Sequence, residues 1–349
     1  DIGDDRNNII PPDKVVLVIE DDERFARIMI EKAHEKNMKA VVATHFAEVF
    51  ELANKFNPVA ITLDVKLPDA SGWRILDLFK TDINLRHIPV HLVSGEENRV
   101  LAMQRGARSF HLKPLTAEGL SMLFNDMQEF SSRKEKKLLI VEDNETESAQ
   151  LAKFLDNNDI ISIDIANTGN EALELLHKNA YDCVVVDYML PDIAGLDFVI
   201  EASAINKLRM TPLLIYSARD FSIKEKGRLK HYANKIMLKN INSLDLLLEE
   251  IVTLLHIDHQ DLTPEKRSLI EELRSSKDIL INKTVLVVDD DVRNLFALTT
   301  SFERYHINTI TAESGQEAMD ILNENDKIDI VLMDIMMPEM DGYETTQKI

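Results

Sequence analysis

Cysteine is nearly missing: Cys183 is the only one among 349 residues. No intramolecular disulfide and no multi-cysteine metal site can be built from it, and a reduced, cytoplasmic setting is the expectation. Long apolar runs are missing too. None approaches the roughly 18–20 residues that a membrane helix needs, and no secretion-signal pattern opens the chain, so no membrane contact is expected within it. Basic excess is absent as well. The 40 Lys and Arg stand against 61 Asp and Glu, a formal charge of −21 that repels nucleic acid at long range. Aromatics make up only 6% of residues, yet 45% are hydrophobic, which argues against disorder. The length suits two or three domains.

What the chain does contain is a repeat. Three strand-like apolar runs end in acids: VVLVIEDD (15–22), LLIVEDN (138–144) and VLVVDDD (285–291). Each is followed by a second apolar run ending in one aspartate and a turn, around Asp64, Asp187 and Asp334. The spacing from first acid to aspartate is 44 (Glu20 to Asp64), 45 (Glu142 to Asp187) and 45 (Asp289 to Asp334). A serine follows 30 residues later in two copies, Ser94 and Ser217, and then a lysine, Lys113 after 19 residues and Lys239 after 22. Composition alone does not produce such agreement.

Within a repeat, Val/Ile/Leu runs alternate with helix-period segments. That pattern predicts βαβ units and a parallel sheet buried on both faces. In the first repeat it places strands near 14–19, 39–43, 59–64, 89–93 and 108–112, and helices near 22–36, 46–56, 72–81, 97–105 and 116–130. The fold class expected is α/β, a repeated flavodoxin-like doubly wound parallel sheet with an incomplete third copy. The expected division is a tail (1–13), a first domain (14–130), a short basic linker (131–137), a second domain (138–256), a helical linker (257–283) and the start of a third domain (284–349). In the second linker Thr263 and Pro264 can begin a helix that carries Leu269, Ile270 and Leu273 as an apolar stripe.

Chemistry gathers at the strand ends. In the first repeat Glu20, Asp21, Asp64, Ser94 and Lys113 should meet there. Three carboxylates so close tolerate one another only around a cation. Oxygen ligands without His or Cys select a hard ion, Mg²⁺ or Mn²⁺. With a lysine and a hydroxyl beside it, the aspartate becomes a nucleophile suited to take a phosphoryl group. A lone strand-end aspartate is more often a helix cap, and an acidic doublet more often N-cap chemistry; three copies at one spacing outweigh those readings. Trp73 and Cys183 read as packing residues. His34, His45, His87, His91 and His111 share the first repeat without ligand spacing.

The acid pair, the D-x-x-[LM]-P-[DE]-x-x-G turn, the serine and the lysine together resemble the receiver domain of two-component signalling. The resemblance implies phosphorylation at Asp64, Asp187 and Asp334. It implies Mg²⁺ sites from Glu20, Asp21, Asp64 and the Lys66 carbonyl, and from Glu142, Asp143, Asp187 and the Met189 carbonyl. In the third copy Asp289, Asp290, Asp334 and the Met336 carbonyl match, without a serine or lysine after them. Ser94 and Ser217 would bond the phosphoryl group, and Lys113 and Lys239 would pair with it. The family's aromatic switch position holds Phe110 in the first repeat but Ile236 in the second. The usual Lys-Pro pair is Lys113–Pro114 in the first and Lys239–Asn240 in the second, so a different loop and a different response are expected there.

The second linker and VLVVDDDVRNLFALTTSFE are similar to the last receiver of multi-receiver hybrid histidine kinases. That similarity would make the chain a C-terminal piece of such a sensor kinase, on its cytoplasmic side. The implied partners are a histidine kinase core or a histidine phosphotransfer domain. No kinase core or DNA-binding output domain is recognisable in the sequence. Two other functions are open. One or more repeats could be unphosphorylated docking receivers. A flavin module would share the fold, but its phosphate would be repelled by the acids. The third repeat is expected to be silent in this chain and, lacking strands beyond its third, to expose an edge for self-association.

Overall fold

The computed structural model describes residues 2–205, 211–239, 243–278, 283–303, 307–325 and 327–349. Two compact units form, residues 1–267 and 268–349.

The larger unit contains two five-stranded parallel sheets. The first is built from β1 (Val15–Ile19), β2 (Lys39–Ala43), β3 (Ala60–Asp64), β4 (Val90–Ser94) and β5 (Ser109–Leu112), in the order β2-β1-β3-β4-β5. Helices α1 (Glu23–Glu35), α2 (Phe46–Phe56), α3 (Gly72–Thr81), α4 (Arg99–Gln104) and α5 (Ala117–Ser132) connect them and cover both faces. All five residues of β1, VVLVI, are buried. This is what a continuous β-branched and aliphatic run requires when helices lie on both sides. One face meets Val41, Leu63, Ile75 and Phe79, the other Ala26, Met29, Leu123 and Phe124.

The second sheet repeats that order with β6 (Lys136–Val141), β7 (Ile161–Ala166), β8 (Cys183–Val186), β9 (Leu213–Ser217) and β10 (Lys235–Leu238). Its helices are α6 (Glu145–Leu155), α7 (Gly169–Lys178), α8 (Gly195–Ala204), α9 (Ile223–Leu229) and α10 (Ser243–Leu254). The short linker expected at 131–137 is taken up from both ends, because α5 runs through Ser132 and β6 begins at Lys136. Lys136 is buried, its ammonium donating to the Phe130 and Arg133 carbonyls and lying 3.4 Å from the Phe130 ring centre. Three local partners stabilise its charge inside.

Residues 4–6 are more than a tail. Asp5 Oδ2 accepts from the Ala40 amide at 2.9 Å, Asp4 Oδ2 accepts from the Val42 amide at 2.9 Å, and Arg6 donates to the Val42 carbonyl at 2.8 Å. They cover the open side of β2, an edge strand that would otherwise offer its backbone to another chain.

The two sheets of this unit are joined by a polar seam. Arg86 pairs with Glu249 at 3.1 Å with both side chains largely buried. The Gln104 amide donates to the Lys230 carbonyl at 2.6 Å, and the Asn234 amide to the Met103 carbonyl at 3.3 Å. The His256 ring stands edge-on to Phe130, centres 5.6 Å apart.

Helix α11 (Pro264–Asp278) follows a 3₁₀ turn at His259–Asp261. The expected linker helix is therefore present from Pro264, with Ile270 fully buried and Leu269 and Leu273 half-buried. The smaller unit carries β11 (Thr284–Val288), β12 (Asn308–Ala312) and β13 (Ile330–Met333) in the order β12-β11-β13, with α12 (Val292–Glu303), α13 (Gly315–Glu324) and α14 (Gly342–Lys348). Strand β13 pairs only with β11 among the described residues, and Ile330 and Leu332 are exposed.

Candidate functional site

The acids stand at the carboxyl ends of the central strands. Such sheets build ligand sites there, where the crossovers diverge to opposite faces. Glu20 follows β1, Asp64 ends β3, Ser94 ends β4 and Lys113 follows β5. Glu20, Asp21 and Asp64 bring carboxylate oxygens within 4.8 Å of one another. The Lys113 ammonium donates to Asp64 Oδ2 at 2.6 Å and to Glu20 Oε2 at 2.8 Å. Burial pushes the Glu20 carboxyl up to about 7 although Lys113 opposes the shift, and the neighbouring Asp64 charge pushes the same way as burial. Burial disfavours charge on Lys113 too, but its bonds to Asp64 and Glu20 outweigh this and raise it above the ordinary lysine value.

The turn after Asp64 is fixed by its own backbone. The Lys66 amide donates to Asp64 Oδ1 at 3.0 Å, and Lys66 forms an antiparallel bridge with Ser71. Gly72 then passes so near the strand end that a Cβ would lie 2.7 Å from Val65 Cα. Ser94 accepts from the Glu96 amide at 3.1 Å. Phe110 is fully buried in the core, with the Arg99 guanidinium 5.8 Å from its ring centre. The Lys113–Pro114 peptide is cis.

The second copy places Glu142, Asp187, Ser217 and Lys239 alike. Lys239 donates to Glu142 at 2.6 Å and to Asp187 at 2.7 Å, and the Met189 amide donates to Asp187 Oδ1 at 3.0 Å. Ser217, fully buried, donates to Asp187 Oδ1 at 2.8 Å. Asp143 is exposed, and among the described residues its trio does not form the close carboxylate cluster seen in the first copy. Burial raises the Glu142 carboxyl, again against the pull of Lys239; burial opposes charge on Lys239 too, but its bonds to Asp187, Glu142 and Glu147 outweigh this and raise it. Ile236 packs half-buried on the core. Asn240 lies outside the described residues.

In the smaller unit Asp289, Asp290 and Asp334 gather within 4.8 Å. The Asn294 amide donates to Asp289 at 3.1 Å, and the Met336 amide to Asp334 at 3.3 Å.

A residue that the repeat comparison passed over stands five positions after the first acid. It is Phe25 in the first copy, Glu147 in the second and Asn294 in the third. Lys113 lies 4.8 Å from the Phe25 ring centre, whereas Lys239 pairs with Glu147 at 3.0 Å. The signal was its place as the third residue of the helix that follows the acid, in the first turn beside the strand ends.

The donor sets fit a hard divalent cation. They offer only oxygen, and the buried, charge-crowded Glu20 is a group that a cation would relieve. The fit is fullest in the first and third copies, where all three acids converge.

The model of the response regulator receiver domain matches residues 16–124, 138–251 and 285–349. The chain belongs to the receiver domain family. Its three receivers are thus modules of two-component signalling, related in sequence to the receiver regions of histidine kinases. Residues of this chain are 37% identical over 73 positions to histidine kinase 3 of Arabidopsis thaliana, covering 21% of this chain and 7% of that protein. They are 29% identical over 108 positions to the polar-differentiation response regulator DivK of Brucella anthropi, covering 30% of this chain and 86% of DivK. The chain spans only 6–9% of the length of the plant histidine kinases it matches. Among solved structures, a Francisella response regulator receiver domain is 27% identical and covers 35% of this chain and 97% of its own, with a TM-score of 0.31. A receiver protein from Clostridium thermocellum is 23% identical over 34% of this chain and 97% of its own, also with a TM-score of 0.31. No helix among the described residues is long and apolar enough to cross a membrane.

Proposed function

We propose that the first two receivers accept phosphoryl groups on Asp64 and Asp187 from a phosphohistidine, in a Mg²⁺-dependent reaction, and pass on the resulting change of surface. The observation that carries this is the lysine shared between the strand-end aspartate and the first acid in both copies, at 2.6 and 2.8 Å for Lys113 and 2.7 and 2.6 Å for Lys239. A structural ion pair alone would not need the same three-residue constellation beside a buried hydroxyl twice.

In the transfer, one Asp64 or Asp187 oxygen attacks phosphorus as the nitrogen–phosphorus bond breaks and imidazole leaves with the electron pair. Bound Mg²⁺ would supply charge neutralisation for the phosphoryl oxygens, held by Glu20, Asp21, Asp64 and the Lys66 carbonyl, or by Glu142, Asp143, Asp187 and the Met189 carbonyl. Lys113 and Lys239 take up the negative charge that grows beside them. Ser94 and Ser217 offer a hydroxyl to a phosphoryl oxygen, and the buried Phe110 is the side chain placed to follow Ser94 in the first receiver.

The phosphohistidine would come from a histidine kinase core or a phosphotransfer domain, and the setting would be the cytoplasmic side of a larger sensor kinase. In the third receiver Asp289, Asp290, Asp334 and Met336 form the metal half of such a site, with Asp334 as the acceptor in a chain that also supplies a hydroxyl and a lysine. Its exposed β13 edge is the surface through which self-association would run. Acetyl phosphate labelling with and without EDTA tests the reading: it expects incorporation that requires the metal. Unphosphorylated docking is the alternative, and absent incorporation would favour it, whereas incorporation that survives EDTA would contradict the metal requirement.

A further inference from the structure

The two complete receivers hold their lysines differently. Lys113 has two carboxylates, Asp64 and Glu20, and the face of Phe25. Lys239 has three carboxylates, because Glu147 on the first turn of α6 adds a contact at 3.0 Å to those of Glu142 and Asp187. Glu147 is itself fixed. Its Oε1 accepts from the Asn144 side-chain amide at 3.1 Å, and its backbone amide donates to Asn144 Oδ1 at 3.3 Å. The helix cap thus aims one carboxylate oxygen at the lysine.

We propose that Glu147 is a positioning residue that draws Lys239 toward α6 and so weakens the hold of the second pocket on a phosphoryl group relative to the first. The inference rests on the phospho-acceptor reading above. A phosphoryl group on Asp187 recruits Lys239 by charge, and every competing carboxylate on that ammonium reduces the gain. Glu147 also adds a negative charge beside a group that is itself strongly negative. Phe25 does neither: its ring faces the ammonium and leaves the charge free to turn to phosphate. Because Glu147 is half-exposed, the effect is that of a solvent-screened pair, roughly two- to fivefold in affinity.

Beryllofluoride, a phosphoryl mimic, is titrated with Mg²⁺ present and read by fluorine NMR of the bound species. Asp64→Ala isolates the second receiver and Asp187→Ala the first, each in the full chain. In the first background Glu147→Gln should tighten binding about two- to fivefold; in the second, Phe25→Glu should weaken it by a similar factor. Tightening is the discriminating result, since loss of a merely structural contact would loosen the pocket or leave it unchanged. Equal or weaker binding in Glu147→Gln overturns the proposal while leaving the phospho-acceptor reading intact. No beryllofluoride bound by the Asp64→Ala chain would overturn both.

Discussion

Ser217 donates its hydroxyl to Asp187 at 2.8 Å, whereas Ser94, its counterpart, accepts from the Glu96 amide at 3.1 Å. The second pocket therefore begins with its hydroxyl already committed to Asp187. A bond to a charged, buried group contributes about 1.5–3 kcal/mol. Ser217→Ala is expected to destabilise the second receiver by that amount and Ser94→Ala to affect the first less. Amide exchange along β9 and β4, each variant against the parent, checks the difference.

Gly72 is required by space rather than by backbone angle. A Cβ there would meet Val65 Cα at 2.7 Å, against backbone that cannot move without shifting Asp64. Gly72→Ala is expected to destabilise the first receiver by about 1–3 kcal/mol, the range for forcing atoms into a packed site. Urea unfolding followed by the fluorescence of Trp73, the only tryptophan and the next residue in the chain, reads this receiver alone.

The seam between the two receivers should weaken in acid. His256 is half-buried, with its Nδ1 shielded from solvent and its ring against Phe130, and lost hydration holds it well below the ordinary histidine value, with Lys80, Arg108, His91 and Lys136 adding to the shift. Burial lowers His87 as well, with Lys80 and His259 adding to that shift and Asp258 and Asp261 opposing it. A histidine depressed in the folded state contributes its full stability above the unfolded value of about 6.5 and loses it as pH falls below that. Glu20, raised to about 7, acts in the opposite sense, so the parent's net slope alone does not isolate the histidine. Between pH 7.5 and 5.5 the parent should lose about 1.4 kcal/mol more than His256→Phe, from one pH unit below 6.5. Equal losses in urea titrations of the two chains would remove His256 from the account.

The repeat, the strand ends and the pocket acids were legible in the sequence because function ties them to a spacing that recurs. Burial on both faces likewise wrote itself into runs such as VVLVI. The rest was less legible for physical reasons. Lys136 read as linker because its charge says surface, and only the Phe130 ring and two carbonyls make its burial tolerable. Asp4 and Asp5 read as tail because edge-capping by side chains has no period. Glu147 was invisible to a search for shared residues, being a position where the copies differ.

The most direct test of the account is the intact mass of the chain after acetyl phosphate and Mg²⁺, measured with its Asp64→Ala, Asp187→Ala and doubly substituted forms. The account predicts up to two added phosphoryl groups on the parent, one on each single variant and none on the double. Full labelling of the double variant, or of either single variant at the parent's level, would contradict it.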